Sequence, residues 1–164
     1  MVNGIKWEVT IRALSRIIGG VFQAEITPNR IIVHIMENSR PLAFVIEDDK
    51  NLSLAFGEAL TEANYQVEII RDGQQAMHRL ETTVPKTIIL DLHIPYISGV
   101  EILKHIRATE RLTRIKVIVT TADDRKAEEL RELADLVLIK PVGFLQLKEM
   151  AVRLHPANSG DSPA

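Results

Sequence analysis

The sequence predicts an α/β domain built on a five-stranded, doubly wound parallel sheet, and three observations support this fold class. Five short apolar runs occur between Leu42 and Leu154, and an amphipathic segment follows each of them. Four of these runs are nearly unbroken in Val, Ile and Leu, as expected for strands that are covered on both faces. Because crossovers between parallel strands are right-handed, five β-α units in this order give the strand order 2-1-3-4-5 most simply.

The predicted strands are four or five residues long. They are Leu42–Ile46, Gln66–Ile70, Thr87–Leu90, Lys116–Thr120 and Leu136–Ile139. The second strand alternates apolar and charged residues in Val67-Glu68-Ile69, a pattern that suits a strand at the edge of a sheet. The order 2-1-3-4-5 with this strand at the edge is the flavodoxin-like arrangement.

Each predicted strand is followed by a segment with helical periodicity. After the first strand, six apolar residues recur at three- and four-residue spacing and form one stripe. They are Leu52, Ala55, Phe56, Ala59, Leu60 and Ala63. The other four helices are predicted at Gln74–Leu80, at Val100–Ile106, across Ala127, Leu130 and Leu133, and from Phe144 to Leu154.

Composition and charge exclude several classes of function. The 164 residues suit one ordinary domain with a modest extension, and 46% hydrophobic with 26% charged residues is typical of a globular protein. A formal net charge of -2 gives no reason to expect direct nucleic-acid binding. The absence of cysteine excludes disulfides, zinc–thiolate sites and thiol nucleophiles, so a metal would need oxygen or imidazole ligands. No apolar run approaches the roughly 20 residues that span a bilayer and the N-terminus does not resemble a signal peptide, so we expect a cytoplasmic protein without membrane insertion.

The predicted domain covers residues 41–154, and the segments on either side of it are different. Residues 1–40 form an N-terminal extension of unknown role, with a possible hairpin around Thr27-Pro28-Asn29. A strand-like alternation near the start is formed by Ile5, Trp7, Val9 and Ile11. Translation from Met36 is an alternative start, which would make the preceding residues an extension. Residues 155–164 contain too little apolar surface to order themselves and are predicted to form a disordered tail.

Polar side chains follow four of the five predicted strands. Glu47-Asp48-Asp49 follows the first strand, Asp91 the third, Thr121-Ala122 the fourth and Lys140-Pro141 the fifth. In an open α/β sheet, ligands bind beyond the carboxyl ends of the strands, near the point where the strand order reverses. We therefore expect these side chains to form one site.

The residue types in this predicted site suit phosphoryl chemistry. Three carboxylates brought together repel one another and need a cation nearby, and oxygen ligands in this number suit Mg²⁺. Lys140 adds an ammonium group and Thr121 adds a hydroxyl donor. Since aspartate can accept phosphate covalently, the set describes a site for a phosphoryl group on a carboxylate.

Taken alone, each of these residues also has a purely structural interpretation. Glu47-Asp48-Asp49 could cap a helix, and Asp49 in particular suits that role alone. Asp91 could be a turn residue before a proline, Thr121 a strand end, and Lys140 a solvated residue at a helix start. One site explains polar residues at four selected strand ends better than four unrelated features do.

Four stretches of the sequence resemble the receiver domains of bacterial two-component signalling. They are Phe44-Val-Ile-Glu-Asp-Asp49, Ile88-Ile-Leu-Asp-Leu-His-Ile-Pro95, Thr121-Ala122 and Lys140-Pro141, which occur in the family's order. The resemblance covers roughly residues 41–154. It implies that Asp91 is the phosphoacceptor and that Thr121 and Lys140 contact the phosphoryl oxygens.

The same resemblance implies the ligands of a Mg²⁺ ion. Asp48 would bind the ion directly, Glu47 through water, and His93 through its backbone carbonyl, with the phosphoacceptor Asp91 completing the protein ligands. It further implies that the Lys140–Pro141 peptide bond is cis.

The resemblance implies a phosphoacceptor switch and not an enzyme. A histidine kinase or a phosphotransfer protein would be the donor, and an unidentified downstream protein would receive the signal. We expect a single-domain regulator because nothing after Leu154 is long enough for an output domain. Two alternatives stay open: a phosphohydrolase that turns over an aspartyl phosphate, and an interaction module that keeps the fold without phosphorylation.

Departures from the family concern how the phosphorylated state is transmitted. Val137 stands where receivers often have an aromatic residue, and Val142 stands where Phe is frequent. The segment from Thr121 to Lys140 is short for the family, which implies a reduced fourth helix. Because a β-branched side chain is stiff at χ1, we expect backbone displacement after Thr121 to carry the signal, with Val137 keeping its rotamer.

Overall fold

The computed structural model describes residues 21–27, 30–36 and 40–158. The chain divides between Arg40 and Pro41 into two compact units. The strand-like alternation predicted from Ile5 to Ile11 lies outside the described residues, as do residues 159–164 of the predicted tail.

The first unit contains an antiparallel hairpin. Strand β1 (Val21–Thr27) pairs with β2 (Arg30–Met36) along its whole length, from Val21 opposite Met36 to Thr27 opposite Arg30. The hairpin predicted around Thr27-Pro28-Asn29 is therefore confirmed. Its connection is formed by residues 28 and 29, which lie outside the described residues.

The second unit contains the predicted parallel sheet. Its strands are β3 (Leu42–Ile46), β4 (Gln66–Ile70), β5 (Thr87–Asp91), β6 (Lys116–Thr121) and β7 (Leu136–Ile139). All neighbours pair in parallel, in the order β4-β3-β5-β6-β7. Counted within this unit the order is 2-1-3-4-5, so the predicted flavodoxin-like fold is confirmed, with its second strand at an edge.

One α-helix follows each strand of this sheet. The helices are α1 (Lys50–Glu62), α2 (Gly73–Thr82), α3 (Gly99–Ala108), α4 (Asp124–Glu129) and α5 (Phe144–Arg153). A short 3₁₀ turn, Glu110–Leu112, follows α3. Among the described residues, none of the helices has the length and apolar character that a membrane span requires.

The fourth helix is shorter than the periodicity predicted. The prediction placed Ala127, Leu130 and Leu133 in one helix, but α4 ends at Glu129 and Leu130 is its C-cap. Leu130 is buried, and Leu133 packs against the same core from a turn. The spacing of the apolar residues therefore predicts correctly which side chains are in the core. It does not predict the end of the helix, which has only six residues.

The sheet carries an apolar layer on each face because successive residues of a strand point to opposite sides. On one side, Phe44 and Ile46 of β3 pack with residues of α2 and α3. On the other side, Ala43 and Val45 pack with residues of α1 and α5. The central strand β3 is thus covered on both faces, as its unbroken apolar run predicted.

Residues 155–158, which the sequence placed in the predicted tail, are held against the rest of the parallel-sheet unit. The His155 ring packs edge-on against Tyr65, with 4.9 Å between the ring centroids. Tyr65 is buried, and its hydroxyl donates to the Ala151 carbonyl at 3.2 Å. The Asn158 side chain donates to the Val152 carbonyl at 2.8 Å. These contacts with α5 and the core hold residues 155–158 although the segment has few apolar residues.

A charged network fixes the connection between α4 and β7. Arg107 of α3 donates from Nε to the Leu133 carbonyl at 2.6 Å and from Nη1 to the Ile115 carbonyl at 2.9 Å. Its Nη2 lies 2.8 Å from the Asp135 carboxylate, which also accepts from Lys116 Nζ at 3.0 Å. One guanidinium therefore joins α3, the start of β6 and the segment that precedes β7.

We expect Arg107→Met to lower the free energy of unfolding by about 2–3 kcal/mol, because three carbonyls lose this donor and the Asp135 carboxylate loses one of its donors. The Arg107 and Asp135 side chains are only 21% and 20% exposed, so water replaces these contacts incompletely. Urea denaturation followed by circular dichroism measures the change. The control is Arg131→Met, whose pair with Glu128 is 69% and 75% exposed and should contribute less than about 1 kcal/mol. Equal losses in the two variants would contradict the role given to Arg107.

Candidate functional site

Strand periodicity directs three ionisable side chains to one side of the sheet. The apolar layer that includes α1 and α5 also contains Val45, Ile89 and Leu138, one from each of β3, β5 and β7. Side chains return to the same face after two residues. Two positions further along these strands stand Glu47, Asp91 and Lys140.

These three side chains form a buried ionic cluster. Lys140 Nζ donates to Glu47 Oε2 at 2.8 Å and to Asp91 Oδ2 at 2.7 Å. Glu47 and Asp91 are 1% and 5% exposed, whereas the neighbouring Asp48 is exposed. One carboxylate oxygen from each of Glu47, Asp48 and Asp91 lies within 4.8 Å of the others. A single oxygen-binding cation could contact all three carboxylates at this spacing.

Burial and the hydrogen bonds of Lys140 shift the pKa values of this cluster in opposite directions. Burial raises the pKa of Glu47, and the charge of Asp91 adds to this effect, while the hydrogen bond from Lys140 opposes it. Burial lowers the pKa of Lys140, but the hydrogen bonds to Asp91 and Glu47 outweigh burial and hold that pKa above its ordinary value. Lys140 is therefore a permanent cation at neutral pH, shared between two carboxylates.

Thr121 and His93 border the cluster. Thr121 is buried, its Oγ1 accepts from the Asp123 N–H at 3.0 Å, and its carbonyl accepts from the Lys140 N–H at 2.8 Å. The His93 N–H donates to Asp91 Oδ1 at 3.2 Å, and the His93 side chain is exposed. All six residues predicted for the site therefore lie at one rim of the sheet.

The family model of the response regulator receiver domain matches residues 43–152 of the 164. The chain belongs to this family. The matched region includes every residue of the acidic cluster and extends from β3 into α5, so it is the receiver domain that carries the candidate site.

Curated relatives match the receiver domain at moderate identity. The phosphate regulon transcriptional regulatory protein PhoB of Rhizobium meliloti (strain 1021) is 32% identical over 123 residues, which cover 71% of this chain and 54% of that protein. The response regulator MprA of Mycobacterium sp. (strain KMS) is 28% identical over 127 residues, which cover 73% and 54%. The probable methanogenesis regulatory protein FilR2 of Methanothrix harundinacea (strain 6Ac) is 29% identical over 126 residues, which cover 70% and 81%. The chain thus spans about half the length of PhoB and MprA.

Solved receiver structures share the fold. The BeF₃-activated receiver domain of DrrB is 26% identical with a TM-score of 0.63, covering 70% of this chain and 96% of that one. The Mn²⁺-bound form of the response regulator Rcp1 is 27% identical with a TM-score of 0.61, covering 76% and 99%. These neighbours confirm that this is a receiver fold.

Asp49 has a structural role in the receiver domain. Its Oδ1 accepts from the backbone N–H groups of Asn51 and Leu52, both at 2.8 Å, and so caps α1. Its own backbone N–H donates to Glu47 Oε1 at 3.3 Å. The capping interpretation of Asp49 is confirmed, and the cap orders the turn that carries Asp48 past the end of β3.

Gly99 contributes to the receiver site by steric means that the sequence reasoning missed. Its N–H donates to the Leu92 carbonyl at 3.1 Å, and a Cβ at this position would lie 2.1 Å from the Asp91 carbonyl oxygen. A larger residue would therefore displace the backbone of β5 at Asp91. The feature that could have indicated this steric role is a glycine at the first residue of a helix, directly after the N-cap Ser98.

Two further expectations for the receiver domain are confirmed. The Lys140–Pro141 peptide bond is cis, as the resemblance implied. The fourth helix is reduced to six residues, as the short segment between Thr121 and Lys140 implied. Val137 is partly buried and packs against the core layer that also contacts Leu133.

Proposed function

We propose that this receiver domain accepts a phosphoryl group on Asp91 and signals through protein interactions that depend on this modification. A histidine kinase or a histidine phosphotransfer protein is the proposed donor. The environment of the Asp91 carboxylate supports the proposal best, because it lies 2.7 Å from the Lys140 ammonium and beside two other carboxylates. A carboxylate next to a fixed cation and a metal-compatible acidic cluster suits phosphoryl acceptance.

In the proposed transfer, one oxygen of the Asp91 carboxylate attacks the phosphorus atom of the donor's phosphohistidine. A P–O bond forms as the P–N bond breaks, and the electron pair of the broken bond returns to the imidazole nitrogen. Lys140 then compensates charge on the phosphoryl oxygens at close range. The hydroxyl of Thr121 would donate to one of these oxygens from the adjacent strand end.

The acidic cluster fits Mg²⁺, because it offers carboxylate oxygens, and Mg²⁺ prefers oxygen ligands. Glu47, Asp48 and Asp91 would hold the ion, with the His93 carbonyl as a further proposed ligand. When bound, Mg²⁺ supplies positive charge that neutralises the carboxylates and the incoming phosphoryl group. The protein would then hold two cationic groups, the metal and Lys140, around one acceptor.

Thr121 connects the proposed phosphorylation site to α4. Its Oγ1 accepts from the Asp123 N–H, and the Asp123 side chain in turn caps α4 by accepting from the N–H groups of Arg125 and Lys126. A Thr121 hydroxyl that moves toward a phosphoryl group would therefore pull on the turn that begins this helix.

The far end of the same segment is anchored. Arg107 holds the Leu133 carbonyl at 2.6 Å, so displacement should be confined to residues 122–130. Val137 is stiff at χ1 and too short to fill a vacated pocket, and we expect it to keep its rotamer. Backbone movement of the α4 turn is thus the proposed output of the switch.

Incubation with Mg²⁺ and acetyl phosphate, followed by intact mass measurement, tests the proposed function. We expect one phosphoryl group per chain, and none when EDTA removes the metal, because the acidic cluster then repels the phosphate donor. Continuous release of phosphate in many turnovers would favour a phosphohydrolase. A chain that stays unlabelled at all Mg²⁺ concentrations would favour an interaction module and refute phosphoacceptance.

A further inference from the structure

Tyr96 combines unusual exposure with an unusual backbone conformation. It lies in the loop between β5 and α3, five residues after Asp91, and 83% of its surface is exposed. Its φ of 69° is in the left-handed region, which residues with a Cβ adopt rarely. A strained backbone at a site rim is a reason to look for a function of the residue that bears it.

The backbone around Tyr96 is fixed on both sides. The Pro95 carbonyl accepts from the N–H groups of Gly73 and Ile97, each at 3.0 Å. A Cβ on Gly73 would lie 1.9 Å from the Ile97 carbonyl oxygen, so the start of α2 and this loop are in close backbone contact. Ile94, on the other side, is buried. The loop therefore presents the tyrosine ring from a rigid base.

The fold does not use this ring. Among the described residues, the Tyr96 side chain takes part in no hydrogen bond, ion pair or ring contact. Glycine and asparagine adopt the left-handed conformation more readily than tyrosine does. Within the described residues, Tyr96 thus gains no hydrogen bond, ion pair or ring contact that offsets the unfavourable backbone conformation.

The position of the ring indicates which contact this is. Asp91 is 5% exposed, so a donor group must approach it from the rim, and the donor's surface must then cover the surrounding loops. Five residues of chain span at most about 18 Å, which keeps Tyr96 within the footprint of a protein bound over Asp91. The exposed carboxylate of Asp49 at the same rim, which is not among the proposed metal ligands, favours a partner with basic residues.

We propose that Tyr96 is a recognition residue for the protein phosphodonor, its ring packing against an apolar patch that basic residues surround. This inference rests on the proposed phosphorylation of Asp91. Aromatic residues are enriched among those that contribute most to binding, and a rigid loop loses little entropy when the complex forms. A residue with this role accelerates transfer from a protein donor and has no effect on transfer from a small donor.

The variant Tyr96→Asn distinguishes an effect on a protein donor from an effect on a small donor. For this comparison, both donors carry the phosphoryl group on an imidazole nitrogen. The small donor is phosphoimidazole with Mg²⁺. The protein donor is an isolated histidine phosphotransfer domain carrying labelled phosphohistidine, taken from a panel as the fastest donor to the wild-type chain. We expect transfer from the protein to slow about tenfold in Tyr96→Asn and transfer from phosphoimidazole to stay at the wild-type rate.

Two variants control for the loss of exposed apolar surface. Tyr96→Phe keeps the ring and should accept from the protein donor at the wild-type rate. Val84→Asn removes an apolar residue that is 47% exposed and precedes β5, at the other end of the sheet, and should also be unaffected. Tyr96→Asn should melt no lower than the wild type, because the tyrosine ring makes no hydrogen bond or ring contact within the described residues and asparagine adopts a positive φ at least as readily.

Wild-type transfer from the protein donor to Tyr96→Asn would overturn the inference. Equal slowing with both donors would also overturn it, because Tyr96 would then act on the chemistry or the fold. A lower melting temperature of Tyr96→Asn would also count against the inference. So would a panel of phosphotransfer domains that all fail to label the wild-type chain when phosphoimidazole does label it. Failure of phosphoimidazole to label the wild type would instead refute the proposed function on which the inference rests.

Discussion

The substitution Asp91→Asn is expected to abolish phosphoryl incorporation. The amide is nearly isosteric with the carboxylate, and its one oxygen can still accept from Lys140 or from His93, which donate to different oxygens of Asp91, but it is not a nucleophile. Intact mass measurement after incubation with Mg²⁺ and acetyl phosphate should show no added phosphoryl group. A labelled Asp91→Asn protein would mean that a different residue is the acceptor.

The matched control for this variant is Asp124→Asn, which changes an exposed aspartate in the first turn of α4 and should be labelled like the wild type. Asp91→Asn should also keep the fold and be slightly more stable without metal, since it removes one of three neighbouring carboxylates. A lower melting temperature would show that the bond between Asp91 and Lys140 outweighs the repulsion from Glu47.

The second large effect is expected from Lys140→Met, which should lower the free energy of unfolding by about 3 kcal/mol without metal. The ammonium lies 2.8 Å from Glu47 and 2.7 Å from Asp91, whose side chains are 2% and 7% exposed. Methionine fills similar space but leaves two buried carboxylates without their cation. Urea denaturation in the presence of EDTA measures the loss.

Lys148→Met is the control for Lys140→Met. Its ammonium lies 2.6 Å from Glu62, but the two side chains are 34% and 47% exposed, so the pair should contribute at most about 1 kcal/mol. Adding Mg²⁺ should restore part of the stability of Lys140→Met, because the ion binds the assembled cluster of the folded state. Equal losses in the two variants, or no recovery with Mg²⁺, would show that the cluster does not act as one electrostatic unit.

The sheet could be predicted from the sequence because each buried strand is a short apolar run between amphipathic segments. Strands β3, β4 and β7 begin and end at the predicted residues, whereas β5 and β6 extend one residue further, to Asp91 and Thr121. These last residues are polar, and the apolar pattern stops before them although the parallel pairing continues. Hydrophobic periodicity therefore locates the strands and misses their polar ends.

The end of α4 could not be predicted in the same way. Leu130 and Leu133 continue the helical spacing, yet the backbone leaves the helix after Glu129. Arg107 binds the Leu133 carbonyl across 26 residues of sequence and stabilises the turn there. Local periodicity contains no information about a contact of that kind, so the predicted helix was too long.

The candidate site could be predicted as a set because the carboxyl ends of parallel strands meet at one rim. Lys140 and Glu47 are 93 residues apart, and their contact follows from the strand order. Gly99 was missed because its contribution is steric, and a residue without a side chain gives no chemical signal. The roles of Asp91 as phosphoacceptor, of Thr121 as a phosphoryl contact and of the acidic cluster as a metal site stay predictions.

The hydrogen bond from the Asp123 N–H to Thr121 Oγ1 has a thermodynamic consequence for any partner of this domain. A hydroxyl can accept one hydrogen bond and donate another, so Thr121 can hold the α4 turn and contact a phosphoryl oxygen at the same time. Coupling free energies between two binding events are reciprocal. In the proposed mechanism, a saturating downstream protein that prefers the displaced turn raises the equilibrium ratio of phosphorylated to unphosphorylated chain by the factor with which phosphorylation raises that protein's affinity. Such a protein, present in excess, would help to set the level of phosphorylation that it reads.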